Sequence, residues 1–211
     1  EASNSKEVIK TIKKQSSLDI EVISGDEEAR LIFGTFFLLE FDKNSAFIVI
    51  DVGGGSTEIS LFENGKRVAG KSFEIGTIRL LTDKVKGEAW GQIEKWIDKN
   101  VDFSTDHKVF ATGGNINKVH KLLGVKNSEA VYTRKLEKLR NELAPLSVEQ
   151  RVNKFQLKPD RADVIVPASD IYLFILKKLK AKELFVPKIG LSDGMIYDLY
   201  LQETEGTVLS D

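Results

Sequence analysis

The sequence predicts an α/β fold, a mixed sheet with flanking helices, and three observations carry that prediction. Segments of helical and of strand periodicity alternate along the whole chain instead of segregating into separate halves. Phe47-Ile48-Val49-Ile50 is a continuous apolar run ahead of Asp51, the pattern of a central strand covered on both faces. Two glycine-rich corners, Gly53–Gly55 and Gly113–Gly114, each follow directly on a strand pattern.

The chain begins with a helical pattern: Asn4 stands at the N-cap, Glu7 three residues on, and Val8, Ile9 and Ile12 on one side, with Ser16-Ser17 closing it. Leu18-Asp19-Ile20-Glu21-Val22 then alternates with period two as a strand. A second helix starts after Ser24-Gly25-Asp26 and runs to about Glu40, apolar at Leu31, Ile32, Phe33, Phe36 and Phe37. Beyond the apolar run and its glycine corner, Thr57–Phe62 alternates as another strand, and Asn64-Gly65 signals a two-residue hairpin into a third near Arg67–Phe73. Trp90, Ile93, Trp96 and Ile97 recur at helical spacing and read as core. Lys108–Thr112 is a strand entering the second corner, followed by a helix through Ile116, Val119, Leu122 and Leu123 that Gly124 ends. Leu136, Leu139 and Leu143 mark a helix stopped at Pro145, and Val164–Leu179 a longer one interrupted early by Pro167. Glu183–Val186 is a last short strand, and Ser192-Asp193-Gly194 opens a final helix through Tyr200.

Composition narrows the function. At 211 residues, 41% apolar and 30% charged, the chain suits one globular unit or two small lobes. Cysteine is absent, which excludes disulfides, thiolate zinc sites and cysteine nucleophiles. A net charge of -1 supplies no global field toward nucleic acid or anionic membrane, so neither is expected as a partner and any bound anion must be gripped locally. The apolar stretches fall short of the ~20 residues that cross a bilayer, and a cytoplasmic location is expected. The single methionine is Met195 and the chain opens on Glu1 directly into a helix, as would a chain cut inside a longer protein.

Asp51-Val52-Gly53-Gly54-Gly55-Ser56-Thr57-Glu58 is the strongest local signal. Three glycines remove every Cβ from the corner, so successive backbone N–H groups can converge on an oxyanion, and the Ser56 and Thr57 hydroxyls can add donors. A tight hairpin is the plainer reading, but it needs only one or two flexible residues and gains nothing from a third glycine. Dinucleotide-binding and Walker-type loops pass from glycines into a helix. Here a second strand follows, and no Walker motif is present.

A strand–glycine–strand hairpin opened by aspartate resembles the phosphate corner of the actin, Hsp70 and sugar-kinase superfamily. Ala111-Thr112-Gly113-Gly114-Asn115-Ile116 resembles its partner corner. Within that superfamily, three segments resemble Ppx/GppA phosphatase motifs in order and spacing: Ile23-Ser24-Gly25-Asp26-Glu27-Glu28-Ala29-Arg30-Leu31-Ile32-Phe33, the Asp51–Glu58 corner, and Arg161-Ala162-Asp163-Val164-Ile165-Val166-Pro167. The resemblance spans Glu1 to about Tyr200.

It implies a ribonuclease-H-like, actin-type fold of two lobes: a remnant of the first at 1–44, a second at 45–189 with the phosphate corners, and a C-terminal helix and tail at 190–211. It implies Glu28 as the base that activates water, and Asp51 and Glu58 as the carboxylates that place Mg2+. Gly53, Gly54, Gly55, Ser56 and Thr57 become the phosphate cradle, faced by Gly113, Gly114 and Asn115. The implied activity is Mg-dependent hydrolysis of terminal phosphoanhydride bonds in polyphosphate, or of the 5'-phosphate of guanosine pentaphosphate; a homodimer is one assembly it allows. The family's first-lobe phosphate loop, of the type Asp-Ile-Gly-Ser-Asn-Ser, is absent from the chain, which alone is therefore expected to be a poor catalyst. Gly190-Leu191-Ser192-Asp193-Gly194 carries Ser192 where family members commonly have arginine.

Plainer readings stand beside these. Ser24 and Glu27 form a capping-box pattern, and acids such as Glu28 suit a first helical turn. An actin-like kinase or ATPase would use the same corners, and a non-catalytic module would use the cradle to sense phosphate or an alarmone. His107, read as solvated, and His120, read as surface or half-buried, make no metal site. The Lys177-Lys178-Leu179-Lys180-Ala181-Lys182 run reads as a solvated helix face rather than a polyanion site.

Overall fold

The structure, a computed structural model, describes residues 4–36, 44–126 and 129–206. Two helices come first, α1 (Ser5–Ser16) and α2 (Gly25–Phe36), then the antiparallel strands β1 (Phe47–Val52), β2 (Thr57–Glu63) and β3 (Lys66–Phe73). A short α3 (Thr77–Leu81) and α4 (Ala89–Asn100) lead to β4 (Lys108–Thr112), which pairs parallel with β1, and to α5 (Gly114–Leu122). Next come β5 (Val131–Tyr132), α6 (Thr133–Leu143), α7 (Val148–Phe155), α8 (Pro159–Ala162) and α9 (Ile165–Lys178). β6 (Glu183–Leu184) and α10 (Leu191–Glu205) complete the order. The main sheet runs β3-β2-β1-β4; β5 and β6 pair separately, and Phe185 bridges in parallel to Phe110 beside β4. As the sequence predicts, Asn64 and Gly65 take positive φ of 51° and 73° in the hairpin between β2 and β3.

Period-two alternation sorts the side chains of β1 between two cores. Ile48, Ile50 and Val52 face the larger one, packed with Ile93 and Ile97 of α4 and Ile171 and Tyr172 of α9. Phe47 and Val49 face a smaller core shared with Ile32, Phe33 and Phe36 of α2, Phe62 and Phe110. That core is largely aromatic: Phe33 stacks on Phe62 with centroids 4.0 Å apart, and Phe36 meets Phe110 edge-on at 5.2 Å. α10 lies against α2. Gly194 leaves no room for a Cβ beside the Leu31 carbonyl, and Arg30 bridges Glu27 at 2.7 Å and Asp198 at 3.1 Å. Among the described residues no helix is long and apolar enough to cross a membrane.

Several elements differ from expectation. Leu18–Val22 forms no strand: Leu18 and Val22 are 61% and 68% exposed. Alternation alone does not make a strand where no neighbour offers its backbone groups. Pro167 does not interrupt α9, because it sits in the first turn, where its missing N–H has no intrahelical acceptor to lose. Asn4 occupies the N-cap of α1 but its side chain makes no capping bond. His107 is half-buried rather than solvated, and His120 is buried, its Nε2 3.3 Å from the Lys126 carbonyl. The expected extension of the second helix through Phe37 to Glu40 lies outside the described residues.

Candidate active site

The alternation that sorts the cores also places the acids. Asp51 continues the series Phe47, Val49 on the α2 side of β1, and Glu58 and Ser60 share the side of Phe62 on β2. Asp51 and Glu58 are direct cross-strand partners. Glu28 lies one helical turn before Ile32 on α2, so it comes down over the same patch of sheet. The three carboxylates line one cavity of about 20 Å³, walled by Ile32, Val49 and Phe62, with room for about one water molecule.

Burial pushes the Glu28 carboxyl above the ordinary carboxylate range, and the charges of Glu58 and Asp51 push the same way. Burial also raises Asp51, opposed by the Thr112 hydroxyl, which donates to Asp51 Oδ2 at 2.5 Å. Tyr172 of α9 donates to the Thr112 backbone carbonyl at 2.6 Å, so a buried chain of bonds fixes the aspartate from below. Glu58 accepts from Ser72 Oγ at 2.7 Å. Glu27 is occupied elsewhere. It takes Arg30 Nε and Nη2 at 2.8 and 2.7 Å, a pairing that holds it below the usual carboxylate range. Ser24 Oγ accepts from Glu27 N–H at 3.1 Å, so half of the capping box forms and Glu28 is left to the cavity.

At the C-terminal ends of β1 and β4 the two glycine corners meet around a second cavity, of about 320 Å³, lined by Gly53, Gly54, Gly113, Gly114, Asn115 and Arg161. Asp51 borders both cavities. The first corner closes as a hairpin, with Gly53 N–H donating to the Ser56 carbonyl at 3.0 Å, and none of its glycines has positive φ. Their value is close approach. The amides of Thr77 and Ile78 donate to the Gly53 and Gly54 carbonyls at 3.0 and 2.9 Å, and Arg79 Nε to the Gly55 carbonyl at 2.6 Å. In a trans peptide the N–H points opposite to its C=O. The amides of Gly54, Gly55 and Ser56 are therefore turned away from α3, and none donates to a backbone carbonyl among the described residues. Three consecutive amides on one side, without a backbone acceptor among the described residues, can converge on an anion.

Gly113 does require glycine: its φ is 107°, and a Cβ would lie 3.2 Å from Asp51 Oδ1. It also caps α5, whose N-terminal dipole favours an anion at this corner. The Arg161 guanidinium lies over Gly114, where a Cβ would come within 2.9 Å of Nη2. Its ion pair to Asp160 is a loose 4.0 Å contact.

One expectation needs correction. Thr57 is no phosphate donor: it is fully buried and its hydroxyl donates to the Ile75 carbonyl at 2.6 Å, tying β2 to the chain below α3. Asp51 and Glu58 stand as a pair for Mg2+, and among the described residues no group of three His, Asp or Glu side chains is disposed to hold an ion by itself. They do fit Mg2+ in its open mode, in which one or two carboxylates act with water and phosphate oxygens; three acids crowding one cavity is charge that such a cation relieves. Ser192 lines neither cavity. Sequence reasoning missed Arg161 as a residue of the corner, although it opens a quoted motif, and missed Tyr172 and Gly76–Arg79. Those act through contacts with residues distant in sequence, such as Arg79 with Gly55 and Tyr172 with Thr112, visible only when folded.

The family model of the Ppx/GppA phosphatase family matches residues 1–203. Exopolyphosphatase 1 of Mycobacterium tuberculosis is 22% identical over 229 residues, a match covering 99% of this chain and 67% of the relative. Exopolyphosphatase 2 of the same organism is 47% identical over 60 residues, 28% of this chain and 18% of the relative. Among solved structures, an exopolyphosphatase from Cytophaga hutchinsonii aligns with a TM-score of 0.78 at 22% identity, over 100% of this chain and 73% of the other. A Ppx/GppA family member from Aquifex aeolicus aligns at 0.72 and 23% identity, over 96% and 71%.

Proposed function

The chain belongs to the Ppx/GppA phosphatase family and has the actin-like fold of its solved members, and from that premise we propose that it hydrolyses terminal phosphoanhydride bonds, with inorganic polyphosphate as substrate. The observation that supports this best is the position of Asp51, where the carboxylate cavity meets the phosphate corner. A terminal phosphoryl group in the corner would accept from the amides of Gly54, Gly55 and Ser56, with Arg161 and the α5 N-terminus offsetting its charge. Such hydrolysis asks the protein for positioning and electrostatics more than for covalent chemistry. Glu28, kept basic by its burial, takes a proton from water as the water oxygen attacks phosphorus; the bridging P–O bond breaks, releasing orthophosphate and a chain shorter by one unit. Mg2+, when bound at Asp51 and Glu58, would supply charge neutralisation of the phosphate oxygens. Residues 45–189 carry the corners in this reading, while α10 packs on α2.

The test is phosphate release by the complete protein from polyphosphate and, in parallel, from guanosine pentaphosphate, which ends in the same bond type. Loss of release in Glu28→Gln with polyphosphate affinity retained, and loss of affinity in Arg161→Ala, supports the assignment. Release unaffected by both changes excludes it.

A further inference from the structure

We propose that the opposite end of the sheet carries a second ligand site, for a nucleotide-class anion in which an aromatic ring bears one or more phosphates. Asp51 and Gly113 lie at the C-terminal ends of β1 and β4. Near the N-terminal ends of those strands, the segments 101–108 and 179–183 enclose a cavity of about 630 Å³, twice the volume of the corner cavity at about 320 Å³. That is within the ~300–1,000 Å³ of small-molecule sites.

Its lining pairs aromatic rings with lysines. Phe103 and Tyr132 are 44% and 43% exposed, an unusual setting for two large rings bordering one cavity. Lys180 Nζ stands 5.4 Å from the Phe103 ring centre, and Arg134 and Lys135 approach the Tyr132 ring at 5.4 and 5.9 Å. Lys108 and Lys182 also line the cavity. None of these cations makes an ion pair among the described residues, whereas Lys177 and Lys178 of the same lysine run pair with Glu137 and Asp98. The run is thus divided: its first half is ion-paired on the helix face, and its second half borders a cavity without ion pairs among the described residues. Asp106 and Glu183 border the cavity as well, so three lysines stand against two carboxylates.

Lys180 holds a left-handed backbone, φ 56°, where the turn after α9 closes with its own N–H on the Lys177 carbonyl and Ala181 N–H on the Leu176 carbonyl. Glycine is the residue that turn favours. A lysine there serves the fold poorly, and its side chain reaches the cavity. Phosphate alone would need only the lysines. The two exposed rings under cations add stacking surface for a planar base, with the ammonium groups as point charges for its phosphates.

Calorimetric titration of the 211-residue chain with ADP and GDP, against inorganic pyrophosphate and adenosine, tests this. The nucleotides are expected to bind at least ~10-fold more tightly than either half-ligand, which lacks the ring or the charge. Lys180→Gly relieves the left-handed strain and keeps the fold; it and Phe103→Ala are each expected to weaken nucleotide binding by ~10-fold, while Arg161→Ala, at the corner, leaves it within about twofold. Pyrophosphate binding as tightly as ADP, no binding at millimolar nucleotide, or binding lost in Arg161→Ala and intact in Lys180→Gly would each overturn the proposal.

Discussion

At the scale of single residues, two changes separate chemistry from architecture. Glu28 and Asp51 both have carboxyls raised by burial, so folding favours their protonated forms. Their contribution to stability is present below the ordinary carboxylate range and is lost as pH rises through the raised folded values; at neutral pH both acids cost stability. Glu28→Gln cannot ionise. It is expected to raise the melting temperature at about pH 7 and to lose that advantage near about pH 4, while lowering turnover of the complete protein by ~10²- to 10⁴-fold. A stabilised variant with full turnover would remove Glu28 from the reaction. Thr57→Val has the opposite signature: the Ile75 carbonyl loses its buried donor, for a cost of about 1–3 kcal/mol in denaturant unfolding, with polyphosphate affinity unchanged in the folded fraction. Glu28 was legible as one acid of a motif, but the sequence also allowed it to be a plain acid of a first helical turn, and its place in the carboxylate cavity, with Glu27 paired to Arg30, separates the two readings.

At the scale of elements, tight contacts between backbones govern the site. Gly54 and Gly76 face each other across the first corner, and their substitutions should diverge. A Cβ at Gly54 meets Ile78 Cδ1 at 3.1 Å, the flexible end of an exposed side chain that can move. Gly54→Val is therefore expected to stay folded and to lose phosphate binding in calorimetry. A Cβ at Gly76 meets the Gly54 backbone itself, so Gly76→Ala should disturb the corner and lower the melting temperature. Equal thermal stability of the two variants would contradict this packing. The same logic holds where α10 crosses α2: Gly194→Ala should separate the helices and loosen Arg30 from Asp198. The triple glycine was conspicuous in sequence; Gly76 and Gly194 were not, because a lone glycine signals a close approach only once its neighbour is known.

At the scale of the whole molecule, the sheet divides two unequal cores, and local stability should follow them. The larger core joins α4, α5, α6 and α9 to the sheet, whereas the aromatic core beneath α2 draws on few elements. Amide hydrogen exchange is expected to be faster in α2 and α10 than in β1 and α9. Phe36→Ala, which empties the centre of the smaller core, should cost about 3–5 kcal/mol. Uniform protection across both layers would show that the sheet does not partition stability in this way.

The sequence by itself determined the order of the longer helices and strands from Phe47 to Leu143 and the two glycine corners, because those features rest on local periodicity and backbone freedom, and it passed over the short α3 and β5. It overstated Leu18–Val22, whose alternation satisfies a strand's side-chain rule but finds no pairing partner among the described residues. Only the tertiary structure decided that Glu28 shares a cavity with Asp51 and Glu58, that Arg161 lies over Gly114, and that Thr57 is a tie of the fold. Each of those depends on which face of one element meets another, and that choice belongs to long-range packing, which no local pattern encodes.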